Sequence, residues 1–276
     1  GTRIVVTTRP IGYETAELSH WTHYNLLPPR KEEGANNLQK LVSAVLISDP
    51  SRSSAGDLSQ HRPGKIAPSD AISISPQLLG MSASLICLRR AVPTTRLGLY
   101  TELISLFEKL PANTPPEQTD LCETVLDIIG WVLISSPLIA FDELISRTAT
   151  LLAPMMETAP LALKRAIRLA ITHWESVGLV EKVFHQGTAL LTFIHKTFCE
   201  FVASRFLVNN RHDLKLIEEV IDHPDRQEVL NFAVGLGLAD TLIKVYLTRH
   251  AAGCPGQLQP ALLMLGNRDV DVSEAS

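Results

Sequence analysis

Apolar residues recur at helical spacing along most of the chain. Leu38, Leu41, Val42, Val45 and Leu46 predict a short helix over Leu38–Ile47. From Pro76, the positions Leu78, Leu79, Met81, Leu85, Ile86 and Leu88 predict another. Thr94 is the predicted N-cap of a third, in which Leu97, Tyr100, Ile104 and Phe107 stand three and four apart. Helical blocks follow over Glu117–Leu133, Phe141–Leu152 and Ala162–Trp174. After Gly178 the period shortens. Leu179–Phe184 and Thr188–Ile194 flank His185-Gln186-Gly187 and predict a β-hairpin with a glycine-containing loop. The next helix places Phe198, Phe201, Val202, Arg205 and Phe206 on one face. Leu214, Ile217, Val220 and Ile221, then Val229, Phe232 and Leu236, predict further helices before an acidic tail.

Two stretches interrupt this pattern. Pro28–Asn36 is polar and turn-forming, and Asp49–Asp70 is rich in proline, glycine and serine and predicts a loop or insertion. At the start, Arg3-Ile4-Val5-Val6-Thr7-Thr8 is a short β-branched run of the kind covered on both faces in a parallel sheet. Such a strand needs parallel neighbours joined by long crossovers, and no further run in βαβ rhythm follows. The expectation is a C-terminal part of a longer protein, cut inside an α/β domain. A free-standing strand in a mixed fold is the alternative.

Composition narrows the class. The chain has 276 residues, of which 45% are hydrophobic and 20% charged, with a net charge of −4. That apolar fraction excludes a disordered chain, and the acidic balance argues against a protein devoted to coating nucleic acid. At about 150 residues per domain, the length suggests about two domains. The first residues lack the basic region and apolar core of a signal peptide. Ile128–Phe141, the longest apolar stretch, falls short of the roughly 20 residues of a membrane span. Cys87, Cys122, Cys199 and Cys254 are scattered without metal-ligand spacing, which predicts reduced thiols and a cytoplasmic protein.

The sharpest local chemistry is Thr7-Thr8-Arg9-Pro10-Ile11-Gly12-Tyr13. Ligands of open α/β sheets bind beyond the carboxyl ends of the strands. There the Arg9 guanidinium would fork onto phosphate oxygens; a solvated strand-end arginine is the plainer reading. His20 and His23 offer two metal ligands without a third, which favours packing over coordination. Lys164, Arg165 and Arg168 form a basic helical patch ahead of the hairpin. A DNA-recognition helix would sit there, although a solvated basic face gives the same pattern. His195 and Cys199 lie four apart inside an aromatic segment with no orienting group for nucleophilic catalysis. Helices followed by a hairpin "wing" describe a winged-helix unit.

The Thr-Thr-Arg-Pro-Ile-Gly-Tyr segment resembles the sensor-1 element of the NACHT branch of STAND nucleotide-binding switch proteins. Three further segments resemble that family in its order. Ser75-Pro76-Gln77-Leu78-Leu79 is similar to the proline motif opening its first helical domain. Val92-Pro93-Thr94-Thr95-Arg96-Leu97-Gly98-Leu99-Tyr100 is similar to that domain's Leu-Pro-x-x-Arg-x-x-Leu-Tyr segment. Phe193-Ile194-His195-Lys196-Thr197-Phe198-Cys199-Glu200-Phe201-Val202-Ala203 is similar to the most specific segment of its winged helix, with Cys199 where the family usually has Gln.

The resemblance implies a mainly α fold with a small β content. It divides the chain into a remnant of a P-loop α/β NTPase core (1–75), a first helical domain (76–112), a winged helix with its hairpin (113–207) and the start of a second helical or sensor region (208–276). It implies three nucleotide contacts: Arg9 on the terminal phosphate, Pro76 on the base and His195 on the β-phosphate of ADP. On residue type alone, His195 also reads as a structural histidine. GxxxxGK[ST] is absent, as is an acidic strand end to hold magnesium. The implied ATP or ADP, with Mg, therefore belongs to the full-length protein, and the chain alone is not expected to hydrolyse nucleotide. The implied partners are the N-terminal NTPase half, an effector domain and, on activation, further copies of the protein; no membrane is expected, and net charge disfavours nucleic acid. The implied function is an ADP-locked, ATP-activated signalling switch of defence or regulation. The alternatives are a winged-helix DNA-binding regulator and a helical scaffold without nucleotide binding.

Overall fold

The computed structural model describes residues 33–48, 72, 75–108, 116–156 and 158–253. The remnant strand, Arg9, His20, His23, the whole Asp49–Asp70 stretch, Cys254 and the acidic tail lie outside them. The described chain is mainly helical, with a single two-stranded antiparallel hairpin among the described residues.

Helix α1 (Gly34–Ser48) buries Leu38 and Val42, one turn apart, against α2 (Pro76–Cys87). Ser75 starts α2 as an extended N-cap whose Oγ accepts from Leu78 N at 3.4 Å, and Pro76 occupies the first helical position. Helix α3 (Arg96–Glu108) begins one residue later than the periodicity suggests. The capping hydroxyl is that of Thr95, not Thr94, accepting from Gly98 N at 3.1 Å.

Helices α4 (Pro116–Ser135) and α6 (Pro160–Ser176) also open on proline, with α5 (Phe141–Leu152) between them. Trp174 of α6 is fully buried, and its Nε1 donates to the Cys122 carbonyl of α4 at 2.9 Å. The hairpin pairs β1 (Val180–His185) with β2 (Thr188–Phe193), from Val180 opposite Phe193 to His185 opposite Thr188. His185 thus belongs to the strand, and the loop is the two residues Gln186 and Gly187, with φ of 49° and 80°. Both positive values fit a tight primed turn whose twist matches the strands. Ala140 adds an isolated antiparallel bridge to Leu190 on the other edge of β2.

Helix α7 (Lys196–Asn209) runs through the centre, packed on α4 and on α9 (Gln227–Ala233). The sequence pattern gave it one apolar face, but every residue from Thr197 to Ser204 is buried. Neighbours on several sides enclose it. It lies so close to α4 at Gly130 that a Cβ there would stand 3.1 Å from both Ala203 N and the Cys199 carbonyl oxygen. Helix α8 (Leu214–Ile221) precedes α9, and α10 (Ala239–Ala251) follows it across a joint at Gly237, whose φ is 98°. Pro224–Ala251 is long and apolar enough to cross a membrane, but the Gly237 joint breaks its helix and 56% of its most apolar window is buried in the fold.

Candidate functional site

His195 stands at the junction between hairpin and central helix. Its backbone is extended (φ −147°, ψ 135°), and its side chain is the N-cap of α7. Nδ1 accepts from the Thr197 amide at 3.2 Å and lies 3.0 Å from Thr197 Oγ1. An accepting Nδ1 leaves the neutral ring with its proton on Nε2. The half-buried imidazole therefore carries its N–H at Nε2, beside the amino end of a 14-residue helix, where amide groups and the helix dipole favour an anion. One residue on, Lys196 Nζ pairs with the buried Glu200 carboxylate at 3.0 Å.

Behind this junction lies an aromatic cluster. Tyr100 of α3 is 1% exposed and packs edge-on to Phe198 at 5.0 Å and to Phe232 of α9 at 5.3 Å, and stacks on Phe201 at 5.7 Å. Burial pushes the Tyr100 hydroxyl above its usual pKa, opposed by the neighbouring Thr197 and Arg96 side chains. The Arg96 guanidinium lies 4.7 Å over the Phe232 ring and pairs with Glu228 of α9 at 2.7 Å.

A second polar cluster lies along α7. Arg205 donates Nη1 to Glu108 of α3 at 3.0 Å, Nη2 to Glu123 of α4, and Nε to Asp127 Oδ2 at 3.2 Å, with Oδ1 also 3.0 Å away. Three carboxylates thus face one guanidinium. Burial works against the charge on Arg205, yet Asp127, Glu123 and Glu108 hold its pKa above the usual value. Asp127 yields instead. Its burial, reinforced by Glu123 and Glu108 against the pull of Arg205, pushes its pKa up to about 8.

Of the residues singled out from sequence, His195 lies at this junction and Pro76 opens α2, where its ring is exposed. Arg9 lies outside the described residues. The segments Val92–Tyr100 and Phe193–Ala203, nearly one hundred residues apart in sequence, meet through Tyr100, Thr197, Phe198 and Phe201. The basic patch is tied to α5: Lys164 Nζ reaches Ser146 Oγ at 3.1 Å, and Arg168 pairs with Asp142 at 2.7 Å. Among the described residues no group of three or more His, Cys, Asp or Glu is placed to hold a metal ion.

Sequence reasoning did not find Thr197 or the carboxylates around Arg205. The signal was there in part: Arg205 is a charge inside an apolar stripe, which demands buried partners. No protein-family model, curated protein or solved structure matches the chain.

Proposed function

We propose that the chain is part of a nucleotide-regulated switch of the NACHT type, in which His195 contacts the β-phosphate of ADP and holds the closed, inactive state. The observation that carries this reading is the state of His195: its Nδ1 is committed to capping α7, so Nε2 supplies the donor, next to helix amides that favour the same anion. The donor set fits a phosphate. Two further observations support it. The segments around Tyr100 and His195 that resemble the family pack against each other. The order α4, bridge residue Ala140, α5, α6, β1, β2 is that of a winged helix.

In this reading Arg9 senses the terminal phosphate, Pro76 packs on the base and His195 touches the β-phosphate. ADP supplies the charge that draws winged helix and NTPase core together; exchange for ATP removes the lock, and the protein oligomerises to engage its effector. DNA binding through α6 is the less supported reading, because Lys164 and Arg168 are engaged with α5.

The test uses the full-length protein that carries this segment. His195→Ser keeps an N-cap hydroxyl but removes the imidazole. Loss of co-purified ADP is expected, with a thermal stability equal to that of the parent stripped of nucleotide. Equal ADP content in the variant and the parent leaves His195 a helix cap and overturns the reading.

A further inference from the structure

Helix α6 separates its buried and exposed positions cleanly. Leu163, Ile167, Ala170 and Trp174 are buried toward α4 and α5. The opposite side presents Leu161, 82% exposed, and Leu169, 63% exposed, with the exposed Arg165 one helical turn from each. Among the described residues no other helix leaves two large apolar side chains this open to water. Lys164 and Arg168 turn aside to Ser146 and Asp142 of α5, whereas Arg165 has no hydrogen-bond or ion-pair partner among the described residues. The helix holds a single acidic residue, Glu175, which lies in its last turn and pairs with Lys182 at 3.2 Å. Its outward ridge is therefore leucine, arginine, leucine, with no carboxylate along it.

We propose that this ridge docks an acidic amphipathic helix of a partner protein, which sets a carboxylate against Arg165 and an apolar side chain against each leucine. Charge complementarity selects the occupant. An unpaired cation on the surface of a chain whose net charge is −4 invites an acidic ligand, and the leucines that flank it need apolar cover. From Leu161 to Leu169 the ridge runs about 12 Å, the span of three side chains one turn apart on a second helix lying alongside. Arginine suits such a contact, since its guanidinium takes a carboxylate bidentately while its stem packs on apolar neighbours. A second copy of the chain meeting through the same face would set Arg165 against its own equivalent. Duplex DNA or an anionic lipid surface is broad, and would bring its negative charge onto Asp142, 84% exposed beside the ridge, as well as onto Arg165. A helix is narrow enough to address the ridge alone. This surface goes beyond the nucleotide reading and does not rest on it.

The experiment measures the anisotropy of a fluorescein-labelled helical peptide of about five turns, titrated with the whole 276-residue chain. The peptide carries leucine, glutamate and leucine one turn apart on a polar, neutral background, and its twin carries lysine in place of the glutamate. The glutamate peptide is expected to bind about ten-fold more tightly than the lysine peptide. Arg165→Glu should reverse that preference. Leu161→Asp and Leu169→Asp should each weaken binding of the glutamate peptide about ten-fold. All three positions lie on the surface, so the variants should melt with the parent by circular dichroism. Equal binding of the two peptides, or a preference that Arg165→Glu leaves unchanged, overturns the proposal. Binding of duplex DNA or of phosphatidylserine-containing vesicles that Arg165→Glu abolishes, with the glutamate peptide unbound, also overturns it and assigns the ridge to that surface instead.

Discussion

Replacing Arg205 by Met leaves three carboxylates around an apolar side chain. The Arg205 side chain is 14% exposed, Glu108 11% and Asp127 4%, so at those two carboxylates little water is available to take over its role, whereas Glu123 is 44% exposed. Removing one partner from a buried ionic cluster costs about 3–5 kcal/mol, and that is the expected loss in urea unfolding at pH 8. The loss should be smaller at pH 5, where the abandoned carboxylates take up protons. Asp127→Asn isolates the proton. In the native state Asp127 titrates near 8, well above the usual carboxylate range, so the folded protein binds a proton that the unfolded chain releases. Stability from this group is therefore full at acid pH and falls as pH rises through about 8. Two pH units within that window are worth about 3 kcal/mol. Unfolding curves of parent and Asp127→Asn should therefore diverge by about that amount between pH 5 and pH 7, in favour of the Asn variant at the higher pH. Parallel stability profiles across pH 5–8 would refute the placement of this proton.

Three other perturbations probe the core. Gly130→Ala places a methyl group against Val202 and the α7 backbone. An overpacking cost of about 1–3 kcal/mol should exceed the helix-propensity gain of about 1 kcal/mol and lower the urea midpoint. Trp174→Phe removes the Nε1 donor to the Cys122 carbonyl and shrinks a fully buried ring, and a loss of about 1–3 kcal/mol is expected by the same assay. Burial raises the thiol pKa of both Cys122 and Cys199, so maleimide labelling of the native chain, mapped by peptide mass, should reach half-buried Cys87 before Cys122 and Cys199, which label only in urea. Prompt native labelling of Cys199 would contradict its position against α4.

The elements were legible because their signals are local. Helix periodicity located α1 to α6, and proline at the first position of α2, α4 and α6 marks their starts. Gly187 announced the hairpin, but the strand extends through His185 because both turn residues adopt positive φ, a choice that favourable turn geometry makes and composition does not spell out. The cap of α3 differs by one residue because adjacent threonines offer the same hydroxyl. What lay beyond reach is tertiary. Arg205 meets Asp127, Glu123 and Glu108 across 78, 82 and 97 residues of sequence. The enclosure of α7 on nearly all sides likewise depends on which helices surround it. For the candidate site, His195 and Pro76 stood out through motif resemblance, whereas the bond from Thr197 to His195 follows from cap geometry, and the ring contacts of Tyr100 and the Arg96–Glu228 pair follow from packing of α3 and α9 onto α7.

The central claim is that His195 is a phosphate contact and not only the cap of α7. The most direct measurement is the ADP content of the full-length protein, purified in parallel as parent and His195→Ser and quantified after denaturation. The account predicts nucleotide in the parent and its loss in the variant, with both proteins unfolding at the same temperature once nucleotide has been removed. Equal nucleotide content in the two, or none in either, contradicts it.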